Sequence, residues 1–208
     1  VALIGEWGSG KTTISLASLA YTKPGLHFAG GEVKLRGEDL LSMEPLKQRE
    51  IRGAKVAYLA QSAAATFNPA LTIGEQVTES AVLHGILDQK AATKRAEELY
   101  KALELPDPDR IGNRYPHQVS GGQLQRLMAA MALCGKPDLM VLDEPTTALD
   151  VTVQAQILDL LRQLQNEFAM ATIFITHDIG VVAGGNFAPE VDSMWLLPGV
   201  RFSLDLPG

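Results

Sequence analysis

Four short apolar runs punctuate the chain, and each gives way at once to a polar or glycine-rich step: "VALI" before Gly5, "KVAYLA" before Gln61, "LMVL" before Asp143 and "ATIFIT" before His177. Continuous rather than alternating apolar runs predict strands of a parallel sheet covered on both faces. Between Gln61 and Asp138 the texture turns helical, in "IGEQVTESAVLHGIL" and "QKAATKRAEELYKALEL", with the Pro-rich "LPDPDR" as a break. Ser120 followed at three residues by Gln123 has capping-box spacing, and Leu124, Leu127, Met128 and Met131 then recur at i, i+3, i+4 and i+7. A helix with one buried face is predicted to start there. Another amphipathic helix is predicted over 152–170, with Ile157, Leu160, Leu161 and Leu164 on its apolar stripe. The expected fold class is α/β: a mainly parallel sheet core in two parts, 1–61 and 138–208, with a helical subdomain inserted over 62–137.

Composition narrows the classes of function. The chain has 208 residues, 46% hydrophobic and 20% charged, which is a globular composition. Its net charge of −6 argues against a broad grip on nucleic acid, which needs many cations against phosphates. The longest strongly apolar run, "LMAAMALC", is far short of the ~20 residues of a spanning helix. No basic stretch precedes a short apolar one at the start, so no signal peptide is expected. The chain opens directly on a strand-like run with no lead-in, so it is expected to be a piece of a longer sequence. The single cysteine, Cys134, excludes an internal disulfide, suits a reducing compartment and reads as a small buried hydrophobe near a helix end.

Ligands of open parallel sheets bind outside the carboxyl ends of the strands, and that is where the chemistry gathers. "GEWGSGKT", Gly5 to Thr12, fits G-x-x-x-x-G-K-[ST] between a strand and a helix. Gly8 and Gly10 let backbone N–H groups, with that of Ser9, turn towards phosphate oxygens. Lys11 brings a point charge to the β- and γ-phosphates, and the Thr12 hydroxyl is a Mg²⁺ ligand. Asp143 directly follows a buried strand and is expected to hold Mg²⁺ through its water shell. Glu144 is placed one residue further, towards the γ-phosphate, as a water-polarising base. Gln61 and His177 end the other two strands, within reach of the attacking water or the γ-phosphate. The bare helix start at Ser120, Gly121 and Gly122 presents free N–H groups and suits an anion. One phosphate loop already accounts for one triphosphate. The economical reading is that this helix start closes over a nucleotide held by a second, head-to-tail subunit.

Taken together, "GEWGSGKT", "VSGGQ", "LMVLDEP", "ALD" and "THD", in this order, resemble the ATP-binding-cassette (ABC) ATPases over roughly residues 1–183. "FNPALTIGEQV" and "LDEPTTALDVTVQAQILDLL" are most similar to the ATPase subunits of oligopeptide, dipeptide, nickel and opine importers. The resemblance implies a P-loop NTPase core with ATP and Mg²⁺ as cofactors, and an ATPase coupled to import of peptides or related small solutes. Gly5 to Thr13 would be the Walker A loop, Ser120 to Gln123 the signature, Asp143 the Walker B aspartate and Glu144 the catalytic glutamate. Gln61 would be the Q-loop glutamine, joining Thr12 and Asp143 around the metal; Asp150 would belong to the D-loop, and His177 would be the switch histidine. Implied partners are a second ATPase subunit, identical or paralogous, integral membrane permease subunits contacted by "SAAATFNPALTIGEQ" and, indirectly, an extracytoplasmic solute-binding protein, but no nucleic acid. The implied location is peripheral, on the cytoplasmic face of the inner membrane. After Ala183 the tail "GGNFAPEVDSMWLLPGVRFSLDLPG" departs from the family pattern. Two other readings stay open here: a cassette fragment that binds nucleotide weakly or is inactive, and a DNA-repair cassette ATPase. The segment between Gln61 and Ser120 is too short for the coiled-coil arm of the latter.

Overall fold

The structure is a computed structural model that describes residues 2–4, 11–144, 163, 170–176 and 200–203. All four apolar runs are strands: β1 (Ala2–Ile4), β4 (Val56–Leu59), β5 (Leu139–Asp143) and β6 (Ala171–Thr176). They form one parallel sheet in the order β1-β6-β5-β4. Registers pairing Ile4 with Thr176 and Asp143 with Ile175 leave the carboxyl ends nearly flush. Every strand in such a sheet can deliver its last residues to one common edge.

Period-two alternation sorts β5 between two cores. Leu139 and Val141 lie in one, with Val56, Ile173 and Ile175 from neighbouring strands. Met140 and Leu142 lie in the other, with Leu59 and Phe174. Met140, Val141 and Leu142 are fully buried, each worth roughly 1.5–3 kcal/mol of transfer free energy. That burial on both sides is the physical reason the runs are apolar throughout.

The first core is closed by α1 (Lys11–Ala17) and by a hairpin, β2 (Glu32–Leu35) and β3 (Glu38–Asp39), whose Val33 and Leu35 point into it. α2 (Pro45–Ala54) follows, with Pro45 at its first turn, where a missing N–H is harmless. β7 (Val200–Ser203) pairs antiparallel with β2, so β3-β2-β7 is a second, three-stranded sheet. This small sheet and α2 have no strong periodic signal in the sequence, and β7 falls in the tail that departs from the family pattern.

Among the described residues, the second core is covered mainly by helices: α3 (Ala63–Thr66), α4 (Ile73–Leu83), α5 (Gln89–Ala102) and α6 (Gly121–Cys134). α4 starts with a capping box between Thr72 and Glu75. Ahead of it, Gln76 ties down residues 68–72: its Oε1 accepts from the Asn68 N–H at 2.7 Å, and its Nε2 donates to the carbonyls of Asn68, Leu71 and Thr72. Gly74 faces Gly112 so closely that a Cβ there would lie 3.0 Å from the Gly112 carbonyl oxygen. α6 buries Leu124, Leu127 and Met128 as expected, with Met131 only partly buried. Cys134 is fully buried at its end, and burial pushes its thiol up to about 11. The helix predicted over 152–170 lies outside the described residues except for helical Gln163 and for Met170, which is buried in the second core.

Candidate functional site

β5 ends on two consecutive carboxylates. Asp143 projects to the side of Leu139 and Val141, the side covered by α1, whose Leu16 lies against that core. Lys11 and Thr12 open α1 and are half-buried, while Thr13 is exposed. The Thr12 carbonyl accepts from the Ser15 hydroxyl at 2.8 Å, which steadies this first turn. α1, which opens with Lys11 and Thr12, thus covers the face of the sheet that carries Asp143, and the Thr12 hydroxyl and Asp143 carboxylate are both hard oxygen donors. That donor chemistry fits Mg²⁺, which takes one or two protein oxygens and keeps the rest of its shell for water and phosphate.

Asp143 is 7% exposed, and its Oδ2 accepts a 2.7 Å hydrogen bond from the Tyr58 hydroxyl. Burial first, then this bond and the carboxylate's charge, push the Tyr58 phenol far above its ordinary range, so it stays a donor. Glu144, 9% exposed, has its Oε2 3.0 Å from Gln61 Nε2, which donates to it. Its backbone N–H donates to the Ile175 carbonyl at 3.0 Å, extending the ladder one residue past the strand. Yet its φ is +49°, a left-handed conformation that holds roughly 1–3 kcal/mol of strain in a non-glycine residue. The chain thus turns sharply at Glu144 while its amide remains tied to β6.

Ser120 caps α6 as its spacing predicts. Its Oγ accepts from the Gln123 N–H at 3.3 Å, and Gln123 Oε1 accepts from the Ser120 N–H at 2.9 Å. These reciprocal bonds leave the N–H groups of Gly121 and Gly122 as the bare part of the helix start. Among the described residues, a Cβ added to either glycine would meet nothing within 4 Å. α6 packs on α3, α4, α5 and β4, whereas α1 packs on β5 and β6. The structure therefore brings Gln61 to Glu144 and packs α1, which begins with Lys11 and Thr12, on the strand that ends at Asp143, while Ser120 to Gln123 belong to the helical layer. Gly5, Gly8, Ser9, Gly10, Asp150 and His177 lie outside the described residues.

Two positions bonded to or beside the candidate site residues escape the sequence reading. Tyr58 sits inside an apolar run and reads as a core aromatic; only the pairing of Tyr58 with Val141, two residues before Asp143, reveals its reach. Gln76 reads as a polar helix position, and its four bonds to the 68–72 loop follow from burial that periodicity does not show. Among the described residues, no helix is long and apolar enough to cross a membrane.

A parallel sheet with α1 packed on β5 and β6, and with Asp143 and Glu144 at its carboxyl edge, makes an α/β core. Residues 1–147 match the family of ABC transporters, and the chain belongs to that family. It is 46% identical over 184 residues to the oligopeptide transport ATP-binding protein AmiE of Streptococcus pneumoniae, covering 88% of this chain and 52% of that protein. It is 42% identical over 197 residues to the oligopeptide transport ATP-binding protein OppD of Bacillus subtilis, covering 94% of this chain and 54% of that one. The chain spans about half the length of the curated relatives it matches. Among solved structures it is similar to the ATP-binding cassette MJ0796, a dimer in a post-hydrolysis state bound to ADP and Pi, with a TM-score of 0.75 and 30% identity over 88% of this chain and 77% of that one. The α/β fold with its helical layer is that of the ABC ATPase cassettes.

Proposed function

We propose that the chain is the ATP-binding and hydrolysing subunit of an importer for peptides or related small solutes, working as a head-to-tail dimer with two nucleotides between the subunits. The single observation that carries this reading is the acid pair at the carboxyl edge: Asp143 on the α1 side, and Glu144 tied to Gln61 at 3.0 Å. In this reading Lys11 and the loop before it bind the β- and γ-phosphates, and Thr12 and Asp143 hold Mg²⁺, with Gln61 beside them. The metal supplies charge neutralisation for the phosphates. Glu144 orients and deprotonates the attacking water, and His177 contacts the γ-phosphate.

The signature residues Ser120 to Gln123, with Asp150, complete the site of the opposing subunit. The open space over Gly121 and Gly122 supports this, because among the described residues nothing calls for glycine there. The helical layer over 62–137 forms a subdomain within a core made of 1–61 and 138–208. Its Gln76-braced segment after Gln61 faces the membrane permease subunits, at the cytoplasmic side of the membrane, and a solute-binding protein acts on the far side. The names of AmiE and OppD support peptides as the cargo class.

The test is Glu144→Gln, which keeps the shape and removes the base. Steady-state hydrolysis of MgATP is expected to fall by about 10²–10⁴ while nucleotide binding persists. Hydrolysis surviving largely intact would remove Glu144 from its role.

A further inference from the structure

We infer that Tyr58 is a positioning residue for Asp143: its hydroxyl engages Oδ2 and so fixes the orientation in which this carboxylate would meet the nucleotide's magnesium and its water shell. This rests on the reading that Asp143 faces that metal.

The geometry is specific. Tyr58 lies opposite Val141 in the β4–β5 register, and Asp143 is two residues further along β5 on the same face. Two residues of strand span about 6.6 Å, close to the reach of a tyrosine side chain from Cα to oxygen. Of the residues in "KVAYLA", only Tyr58 combines that reach with a donor for a carboxylate on this face. The neighbours of Asp143 on this face are Val141 and, on β6, Ile175, both fully buried, so the carboxylate stands in an apolar row. Among the described residues, Tyr58 is the hydrogen-bond partner of Asp143 Oδ2. Without that hydroxyl the carboxylate is free to rotate, and one oxygen is left against hydrocarbon. Carboxylates that hold metals are themselves held by such outer hydrogen bonds, and losing one typically weakens metal affinity about 10–100-fold.

β4 thereby serves both acids. Tyr58, within the strand, fixes Asp143, and Gln61, just past its end, reaches Glu144. The bland alternative is a buried phenol that simply finds an acceptor and stabilises the sheet. The two differ in what they do to metal affinity when the fold is intact.

The experiment titrates Mn²⁺, followed by its electron paramagnetic resonance signal, into wild type and Tyr58→Phe, each saturated with ADP so that no hydrolysis occurs. Metal-free ADP affinity and far-ultraviolet circular dichroism are measured alongside. Tyr58→Phe is expected to weaken Mn²⁺ binding by about tenfold or more and to leave metal-free ADP affinity and the spectrum unchanged. In an Asp143→Asn background the same change is expected to have no further effect on Mn²⁺. Wild-type Mn²⁺ affinity in Tyr58→Phe would overturn the inference, as would equal losses of metal and metal-free nucleotide affinity, which mark a structural role. Wild type that binds ADP but no Mn²⁺ would overturn the reading of Asp143 itself, and this inference with it.

Discussion

Replacing Gly122 by alanine separates what the α6 start does for its own chain from what it does for another. Gly122 is the second residue of α6, its φ lies outside the left-handed region, and an added Cβ meets no atom within 4 Å. Within one subunit, alanine is therefore tolerated sterically. It also favours the helix by about 0.5–1 kcal/mol, because glycine loses more backbone entropy on folding. For a domain of this size, that corresponds to a rise in Tm of about 1–4 °C. Between two subunits the expectation reverses. If the Gly121 and Gly122 N–H groups close on a partner's γ-phosphate, a methyl group enters the space where that phosphate and its loop must fit. Loss of even 1.4 kcal/mol of closure lowers steady-state hydrolysis about tenfold. The assay pairs a thermal melt of the nucleotide-free protein with MgATP hydrolysis across protein concentration. The expected result is a more stable protein that hydrolyses at least about tenfold more slowly. A stabilised variant with wild-type hydrolysis would refute the closure argument, and a destabilised one would refute the open geometry of the helix start.

Other outcomes follow from the same packing. Gln76→Leu removes the side-chain partner of the Asn68 N–H and of the Leu71 carbonyl, while the Asn68 and Thr72 carbonyls each keep a backbone bond, from the Leu71 and Gln76 N–H groups. It is expected to lower stability by about 1–3 kcal/mol in a denaturant melt, and an unchanged midpoint would show that water replaces the side chain without loss. Cys134, fully buried with its thiol raised to about 11, is expected to resist a thiol-specific reagent at pH 8 in native protein and to react fully in denaturant. Rapid native labelling would contradict its place at the end of α6.

The parallel sheet was legible because its strands are buried on both faces, which leaves an unmistakable apolar signature at "LMVL" and "ATIFIT". The start of α6 was legible because Ser120 and Gln123 cap each other through bonds local in sequence. The β2–β3 hairpin and β7 were not, since a short half-exposed strand such as Glu32–Leu35 alternates too briefly to stand out and owes its pairing to residues some 170 positions away. Asp143 and Glu144 announced themselves by following an apolar run. The left-handed turn at Glu144 and the reach of Tyr58 across the sheet did not, because both arise from register, which no local pattern encodes.

Light scattering of the Glu144→Gln protein, with and without MgATP, shows whether the α6 start meets a second subunit's nucleotide. The expected result is a monomer without nucleotide and a dimer with it, because binding draws the α6 start of each subunit onto the other's nucleotide and the missing base prevents release. A chain that binds MgATP, shown by a raised Tm, yet remains a monomer would contradict the paired site and leave Ser120, Gly121 and Gly122 without the partner assigned to them.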